Sequence, residues 1–391
     1  MQTPELVAVF EPRPRAGVSS PHQKHDYLPA LTGLRFWLAA WVMLHHISGR
    51  GMMLEAWTNS LSPALATLVQ GGYLAVQTFF VLSGFVLAKT YARTQWSIRE
   101  GGKYAAARFA RIYPVYVLSL AVVAPFIIRA MLKPTRTAAE KTSLLFDYVF
   151  VLQGWKGNLG VGWNTPAGSL SCEFVFYLCF PLLIIGLRKA GKGLVGLTLA
   201  ASLVVPVLLA HSNVPWDWKP IHHFSDFAAG VAAARLFDFL RPAMDRRGYW
   251  LYLPAILAGM YLIVDPAIMY RTYGDLNTGL RPLNAIAIVG FALSGGLLAR
   301  FLSAPASEYL GKISYSMYIL HVPILWWYGD WSMHGRPHMP AGIAALSYFV
   351  LVTAVAALAF EFVEMPANRW IRGRVNRWLA RGREIELRAA A

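Results

Sequence analysis

The sequence has few charged residues, and this scarcity excludes an ordinary soluble domain. Only 14% of its 391 residues are Asp, Glu, Lys or Arg, against about a quarter in typical soluble proteins. Apolar and aromatic residues make up 56% of the chain, and the mean hydropathy is +0.43. These residues cluster in blocks of about 17–22, long enough to cross a hydrocarbon core of about 30 Å as helices. The composition therefore predicts an integral membrane protein.

Cysteines and acidic residues are also scarce. The two cysteines, Cys172 and Cys179, would lie about 10 Å apart on one helical face, too far for a disulfide. No metal-ligand cluster surrounds them, so we predict no metal site and no permanently bound cofactor. Basic residues outnumber acidic ones by 16. Because no basic run interleaved with aromatics lies outside the apolar blocks, we attribute this excess to membrane orientation and lipid headgroups and predict no nucleic-acid partner.

The apolar residues form ten blocks after a polar segment, residues 1–27, which lacks the apolar core of a signal peptide and is predicted to be a cytoplasmic N-terminal tail. The blocks are residues 31–49, 70–90, 111–131, 169–187, 193–210, 221–239, 249–268, 283–302, 313–329 and 341–363. With the N-terminus inside, 25 Lys and Arg residues fall on the inner side and 10 on the outer side, leaving Arg35 unassigned. We therefore predict an all-α integral membrane protein of about ten transmembrane helices with both termini cytoplasmic, comprising a membrane domain, residues 28–372, and a basic cytoplasmic tail, residues 373–391.

The first apolar block contains ionisable residues, which are costly within a bilayer and are therefore functional candidates. Arg35 lies near its start, and His45 and His46 lie near its end. Eleven residues of helix rise about 16 Å and place Arg35 and His46 on nearly the same face. Histidine is a suitable general base at neutral pH, and arginine can hold an anionic group. The alternative is that Arg35 reaches the interface and the histidines cap the span.

Two further elements carry candidates for binding. Ser83 and Gly84 in the second block either allow close helix packing or leave room for a slim substrate chain. Arg108 and Arg111 stand at the predicted cytoplasmic end of the third block. They suit a phosphate or pyrophosphate clamp, and the alternative is an ordinary positive-inside anchor.

The fourth block contains a carboxylate, Glu173, preceded by Ser169 and Ser171. A buried carboxylate needs a partner, and His46 lies on the same side of the membrane in the predicted topology. A His–Glu pair would orient the imidazole and raise its basicity; a structural ion pair is the alternative. The preceding outer loop includes Trp163, which suits either stacking on a sugar ring or the interfacial aromatic belt.

Later blocks contain polar residues that we predict to act chiefly as contacts between helices. These are His222, His223, Asp226, Ser314, Tyr315, His321, Glu361 and Glu364.

Seven segments together resemble the acyltransferase 3 family of bacterial membrane-bound O-acyltransferases. In chain order they are LTGLRFWLAAWVMLHH, TFFVLSGFVLA, RFARIYPVY, SLSCEFVFYLCFP, FAAGVAAARLF, EYLGKISYSMYILHVP and FEFVEMPANR. Each segment alone is a weak signal, whereas the ordered set is specific and spans most of residues 28–372. The N-terminal half is also similar to the O-acetyltransferases that modify xanthan-type exopolysaccharides.

The resemblance assigns roles to particular residues. The Arg-x10-His motif of the family falls on Arg35 and His46, and its arginine pair falls on Arg108 and Arg111, with a role in binding coenzyme A. Its acidic residue falls on Glu173. The family commonly has Trp before Ser-Leu-Ser, whereas Gly168 stands here, and Trp163 is the candidate to replace it. The supporting site residues are predicted to be Ser83 for the donor, and His45, Ser169, Ser171, Trp163 and Tyr315 for the acceptor or for support.

The implied function is transfer of an acyl group, most commonly acetyl, from acetyl-CoA to a sugar hydroxyl of an exopolysaccharide or its lipid-linked repeat unit. The implied location is the bacterial inner membrane. In this interpretation His46 is the general base and is oriented by Glu173. The alternative from another class is a transporter or flippase of lipid-linked saccharide. That function predicts repeated halves with broken spans, and the sequence has no such repeat.

Overall fold

A computed structural model describes residues 28–134, 137–155, 164–210, 212–215, 218–264, 276–333 and 339–389. Most residues in these ranges are helical, and none of them forms a β-strand beyond isolated bridges. The predicted N-terminal tail, residues 1–27, and Trp163 lie outside the described residues. The all-α fold class is therefore confirmed for the described part of the chain.

The α-helices are numbered in chain order. They are α1 Pro29–Ser48, α2 Glu55–Ser60, α3 Pro63–Gln70, α4 Ala75–Tyr91, α5 Ile98–Leu132, α6 Ala138–Val149, α7 Ala167–Leu187, α8 Lys192–Ala210, α9 Lys219–Met244, α10 Tyr249–Val264, α11 Leu276–Ala292, α12 Leu297–Leu302, α13 Pro305–Met333, α14 Ala341–Ala359 and α15 Met365–Ala389. A 3-10 turn, Gly71–Leu74, joins α3 to α4, and a π-helical turn, Phe360–Glu364, joins α14 to α15.

Five helical segments in the described chain are long and apolar enough to cross a membrane. They are Pro63–Tyr91, Ile98–Leu132, Ala167–Leu187, Lys192–Leu209 and Ala341–Arg381. Each of the ten predicted apolar blocks lies wholly or mostly on helix. The chain is thus a membrane protein, while the count of ten spans and the cytoplasmic position of both termini stay predictions.

The predicted block 283–302 is divided in two. Helix α11 ends at Ala292, and α12 begins only at Leu297. The intervening Ser294, Gly295 and Gly296 are poor helix formers, and Ser294 forms isolated bridges with Arg246 and Arg247. The break therefore has a local cause in the sequence.

Helices α1 and α13 pack side by side in the same direction. A Cβ atom added at Gly311 of α13 would overlap the backbone of Thr32 of α1. One added at Gly33 of α1 would overlap the backbone of Leu302, the last residue of α12, which comes just before α13. Further along, His46 of α1 contacts His321 of α13. Small residues permit this close approach, and the contact between the two helices continues to their far ends.

Helices α4 and α9 also run parallel and in close contact. A Cβ atom at Gly84 would overlap the backbone of Phe227, and one at Gly230 would overlap the backbone of Val81. At one end of this contact the Lys89 ammonium lies 2.7 Å from the Asp238 carboxylate. The packing interpretation of the Ser83–Gly84 pair is therefore confirmed for its glycine.

Replacing Gly84 by alanine is expected to destabilise the protein by about 1–3 kcal/mol, because the added methyl group has no room between two helix backbones. Thermal unfolding in detergent measures this effect. Gly186→Ala on α7 is the matched control, because a Cβ atom there meets no atom within 4 Å. Equal unfolding temperatures for the two variants would contradict the close α4–α9 contact.

Candidate active site

A cavity opens among five helices, α1, α4, α5, α7 and α13, with an empty volume of ≈ 820 Å³ that includes its open mouth. Seven residues predicted from the sequence line it: Arg35, Ser83, Arg108, Arg111, Ser169, Glu173 and Tyr315. They come from every one of these helices and from positions far apart in the chain. The structure therefore brings together most of the predicted site.

Charge and apolar surface are both present in this cavity. Three guanidinium groups, those of Arg35, Arg108 and Arg111, face it together with the single carboxylate of Glu173. The rest of the wall is largely apolar and aromatic, and includes Val76, Phe79, Phe80, Val86, Leu87, Ile112 and Leu170. Such a lining suits a ligand that is anionic at one part and apolar at another.

Arg108 is positioned by α5 with its guanidinium 5.9 Å from the centre of the Tyr177 ring. Its Nε atom is buried and has no hydrogen-bond partner among the described residues. The Nε atoms of other arginines, such as Arg99 and Arg235, are unpaired in the same way. The place of Arg108 on the cavity wall beside Arg35 and Arg111 is therefore the observation that matters. This observation favours the binding interpretation of Arg108 over a simple positive-inside anchor.

Arg111 lies one turn further along α5 and forms an ion pair with Glu364. Its guanidinium also lies 5.3 Å from the centre of the Tyr315 ring. Glu364 is 1% exposed and accepts a second hydrogen bond, 2.9 Å long, from the Ser316 hydroxyl. Glu364 belongs to the π-helical turn, a conformation often found at functional sites. The turn thus delivers the carboxylate that holds Arg111.

Glu173 does not pair with His46. Its carboxylate accepts a hydrogen bond of 3.0 Å from the Tyr177 hydroxyl, and no hydrogen bond or ion pair joins it to His46 in the described chain. The physical reason is that Tyr177, one turn along α7, supplies a hydroxyl donor to this carboxylate inside the cavity, whereas His46 does not line the cavity. The predicted His46–Glu173 pair is therefore wrong.

His46 lies beyond the end of the cavity, at the contact between α1 and α13. Its Nδ1 atom is 2.9 Å from the Val42 carbonyl oxygen and 3.4 Å from Nε2 of His321. The hydroxyl of Tyr318, a cavity residue, donates a hydrogen bond of 3.0 Å to Ser169, and its ring centre lies 6.0 Å from that of His321. Tyr318 thus connects the cavity wall to the histidines.

The adjacent histidine, His45, faces a different part of the fold. Its Nδ1 atom is 2.5 Å from the Gln70 carbonyl oxygen, and its ring centre lies 5.5 Å from that of Tyr73. His45 therefore contacts the 3-10 turn before α4, whereas His46 contacts α13. This difference supports His46 as the histidine of the Arg-x10-His pair.

Ser171 serves a structural contact. Its hydroxyl donates a hydrogen bond of 2.6 Å to the Val151 carbonyl oxygen and accepts one of 3.0 Å from the Gly154 amide. These bonds fasten the loop after α6 to α7. These contacts agree with a supporting role for Ser171, and a role at the acceptor stays a prediction; Trp163 lies outside the described residues.

A second buried polar cluster joins α9 to α11. The Asp226 carboxylate lies 2.9 Å from Nδ1 of His223 and 3.0 Å from Nε of Arg281. Arg281 also donates a hydrogen bond of 2.8 Å to the Ser225 hydroxyl. The contact with Arg281 agrees with the predicted role of Asp226 in joining helices, whereas the contact between His223 and Asp226 lies within α9.

The sequence model of the acyltransferase 3 family, described as an acyltransferase domain, matches residues 28–361 of this chain. The chain therefore belongs to that family, and it is an acyltransferase.

The sequence identity to individual relatives is low. The chain is 27% identical to Acyltransferase MdmB of Streptomyces mycarofaciens, over 88% of this chain and 92% of the relative. It is 23% identical to O-acetyltransferase OatA of Staphylococcus aureus and to Peptidoglycan O-acetyltransferase OatA of Listeria monocytogenes. In both cases the match covers 88% of this chain, but only 57% and 56% of the relatives. No solved structure gives a significant match.

Proposed function

We propose that the chain transfers an acetyl group from acetyl-CoA to a sugar hydroxyl of an exopolysaccharide or its lipid-linked repeat unit, in the bacterial inner membrane. The observation that carries this proposal is the cavity lined by Arg35, Arg108 and Arg111, which reaches through Tyr318 toward His46. The O-acetyltransferase names of two relatives support acetyl transfer to oxygen. The acceptor class is carried by the resemblance of the N-terminal half to exopolysaccharide O-acetyltransferases.

The arginines bind the donor in this proposal. Guanidinium groups form charge-assisted, often paired hydrogen bonds with phosphate oxygens. Arg108 and Arg111 therefore hold the anionic part of coenzyme A, and the apolar wall beside Ser83 accommodates the acyl-pantetheine arm. Glu173, hydrogen-bonded to Tyr177, balances part of the positive charge of the guanidinium groups.

The reaction is direct transfer with His46 as general base. Nε2 of His46 removes the proton of the sugar hydroxyl as its oxygen attacks the thioester carbonyl carbon. A new C–O bond forms, and negative charge develops on the carbonyl oxygen, where a hydrogen-bond donor is needed to stabilise it. The C–S bond then breaks, and the coenzyme A thiolate takes the proton from the His46 imidazolium. The products are the sugar ester and free coenzyme A.

The proposed function is tested with membranes containing the full chain, acetyl-CoA labelled in the acetyl group, and an extract of polysaccharide and lipid-linked sugar. We expect label in an ester that mild base releases. Absence of labelled ester with both acetyl and succinyl donors, from folded protein, would reject acyl transfer to sugar. A control with membranes lacking the protein excludes transfer by other enzymes.

Replacing Arg108 by glutamine is expected to raise the KM for acetyl-CoA about 10–100-fold, because a hydrogen bond to a charged group contributes about 1.5–3 kcal/mol. Initial rates over a range of acetyl-CoA concentrations measure the change. Arg129→Gln on the same helix is the control, because Arg129 is exposed and lies outside the cavity. If both variants keep the wild-type KM, Arg108 does not bind the donor.

A further inference from the structure

His321 of α13 is fully buried and makes polar contacts with Tyr318 of the same helix and Tyr348 of α14. Its side chain is 0% exposed, and its Nδ1 atom lies 2.6 Å from the Tyr318 carbonyl oxygen. Its own carbonyl oxygen accepts a hydrogen bond of 2.9 Å from the Tyr348 hydroxyl of α14. Burial and the contact of Nδ1 therefore fix the position of the ring.

These contacts determine which nitrogen of His321 carries the proton. A carbonyl oxygen only accepts, so Nδ1 of His321 must be the donor to Tyr318. In a neutral imidazole the other nitrogen then has a lone pair, so Nε2 of His321 is an acceptor. That acceptor points at His46, with the two ring centres 4.9 Å apart and the planes at 70°.

Nδ1 of His46 consequently faces two acceptors, the Val42 carbonyl oxygen at 2.9 Å and Nε2 of His321 at 3.4 Å. It must carry the proton of the neutral ring, which leaves the lone pair on Nε2 of His46. Nε2 has no hydrogen-bond partner among the described residues. It is the atom that a general base needs.

We propose that His321 is the positioning residue of His46. This inference rests on the proposed acyl transfer and adds to it a residue that takes the place of the carboxylate in a Ser-His-Asp arrangement. His321 shares the Nδ1 proton of His46 with the Val42 carbonyl oxygen, and it stabilises the imidazolium that forms when His46 takes the hydroxyl proton. A second histidine does this in place of Glu173, whose carboxylate is hydrogen-bonded to Tyr177.

A purely structural histidine would not need this orientation. The bond to Tyr318 alone already satisfies one ring nitrogen within α13, and an apolar residue could fill the remaining space. The second nitrogen instead points across the helix boundary at the predicted base, 275 positions away in the chain.

Two substitutions separate positioning from packing. His321→Gln retains an acceptor near the place of Nε2, whereas His321→Leu keeps much of the volume and removes the acceptor. We expect His321→Leu to lower kcat about 10²-fold, the lower range of general-base contributions, with the KM for acetyl-CoA within about twofold. We expect the kcat of His321→Gln to be at least about tenfold higher than that of His321→Leu. A glutamine variant as slow as the leucine variant, with both stably folded, would overturn the proposal.

A measurement that does not depend on turnover tests the same inference. Nitrogen-15 NMR of the histidine-labelled protein in lipid distinguishes the two neutral tautomers, and His46→Gln and His321→Gln identify the signals. We expect both rings to be protonated at Nδ1. Protonation of His321 at Nε2 would overturn the positioning role even in an active enzyme. The expected tautomers in a protein that makes no ester would instead retain the contact and reject the proposed function.

Discussion

Replacing His46 by alanine is expected to lower acyl transfer by about 10²–10⁴-fold, because the reaction loses its general base. The KM for acetyl-CoA should stay close to the wild-type value, since the arginines proposed to bind the donor line the cavity and His46 does not. The measurement is the initial rate of labelled ester formation at saturating acetyl-CoA. Membrane insertion and unfolding temperature are measured on the same preparation.

His45→Ala is the matched control for this prediction. It removes the neighbouring imidazole, which contacts Gln70 and Tyr73 and not α13. We expect this variant to keep a rate within about tenfold of the wild type. If His45→Ala loses activity and His46→Ala keeps it, the two histidines have been assigned in the wrong order. Wild-type turnover in both variants would remove histidine base catalysis from the mechanism.

The second large effect is expected at the ion pair between Arg111 and Glu364. Glu364→Gln removes one partner of a buried pair, in which Glu364 is almost completely inaccessible to solvent. Leaving a buried charge without its partner typically costs about 3–5 kcal/mol. We therefore expect a much lower yield of folded protein and a lower unfolding temperature in detergent, together with loss of activity.

The double variant Arg111→Gln with Glu364→Gln separates folding from catalysis. It leaves no unpaired charge, so its unfolding temperature should recover toward the wild-type value. Its activity should remain low, because the guanidinium that binds the donor is gone. Recovery of stability and activity together would mean that Arg111 has a structural role only. No recovery of stability would mean that the two side chains do not act as a pair.

The cavity residues were predictable from the sequence for two reasons. Arg35 and Glu173 stand out because a charge within an apolar block is costly, whereas Arg108 and Arg111 stand at the end of a block and are assigned to the site by the family motif. Their shared cavity depends on helix packing, such as that of α1 against α13 at Gly311, which the sequence contains but does not pair.

Contacts between distant segments were not predictable in the same way. Nothing in the local pattern around His321 or Glu364 distinguishes them from other polar residues that join helices. Their roles depend on which helix lies beside α13 and on a π-helical turn, and both are properties of the packed bundle. The incorrect His46–Glu173 pair has the same origin: the two residues lie at a similar predicted depth, but the carboxylate is hydrogen-bonded to Tyr177 on its own helix.

The π-helical turn between α14 and α15 has a consequence for length variation among homologous chains. Such a turn accommodates one more residue than a regular α-helical turn, and each residue of an α-helix corresponds to about 100° of rotation. Deleting one residue within Phe360–Glu364 would return this turn to regular α-helical winding and leave the orientation of α15 relative to α14 nearly unchanged, because the wider turn absorbs the extra residue. A one-residue deletion in the regular helix beyond the turn would instead rotate the rest of α15 by about 100° relative to α5. Homologous chains should therefore tolerate the loss of one residue more readily inside this turn than elsewhere in α15, provided that a carboxylate still reaches Arg111.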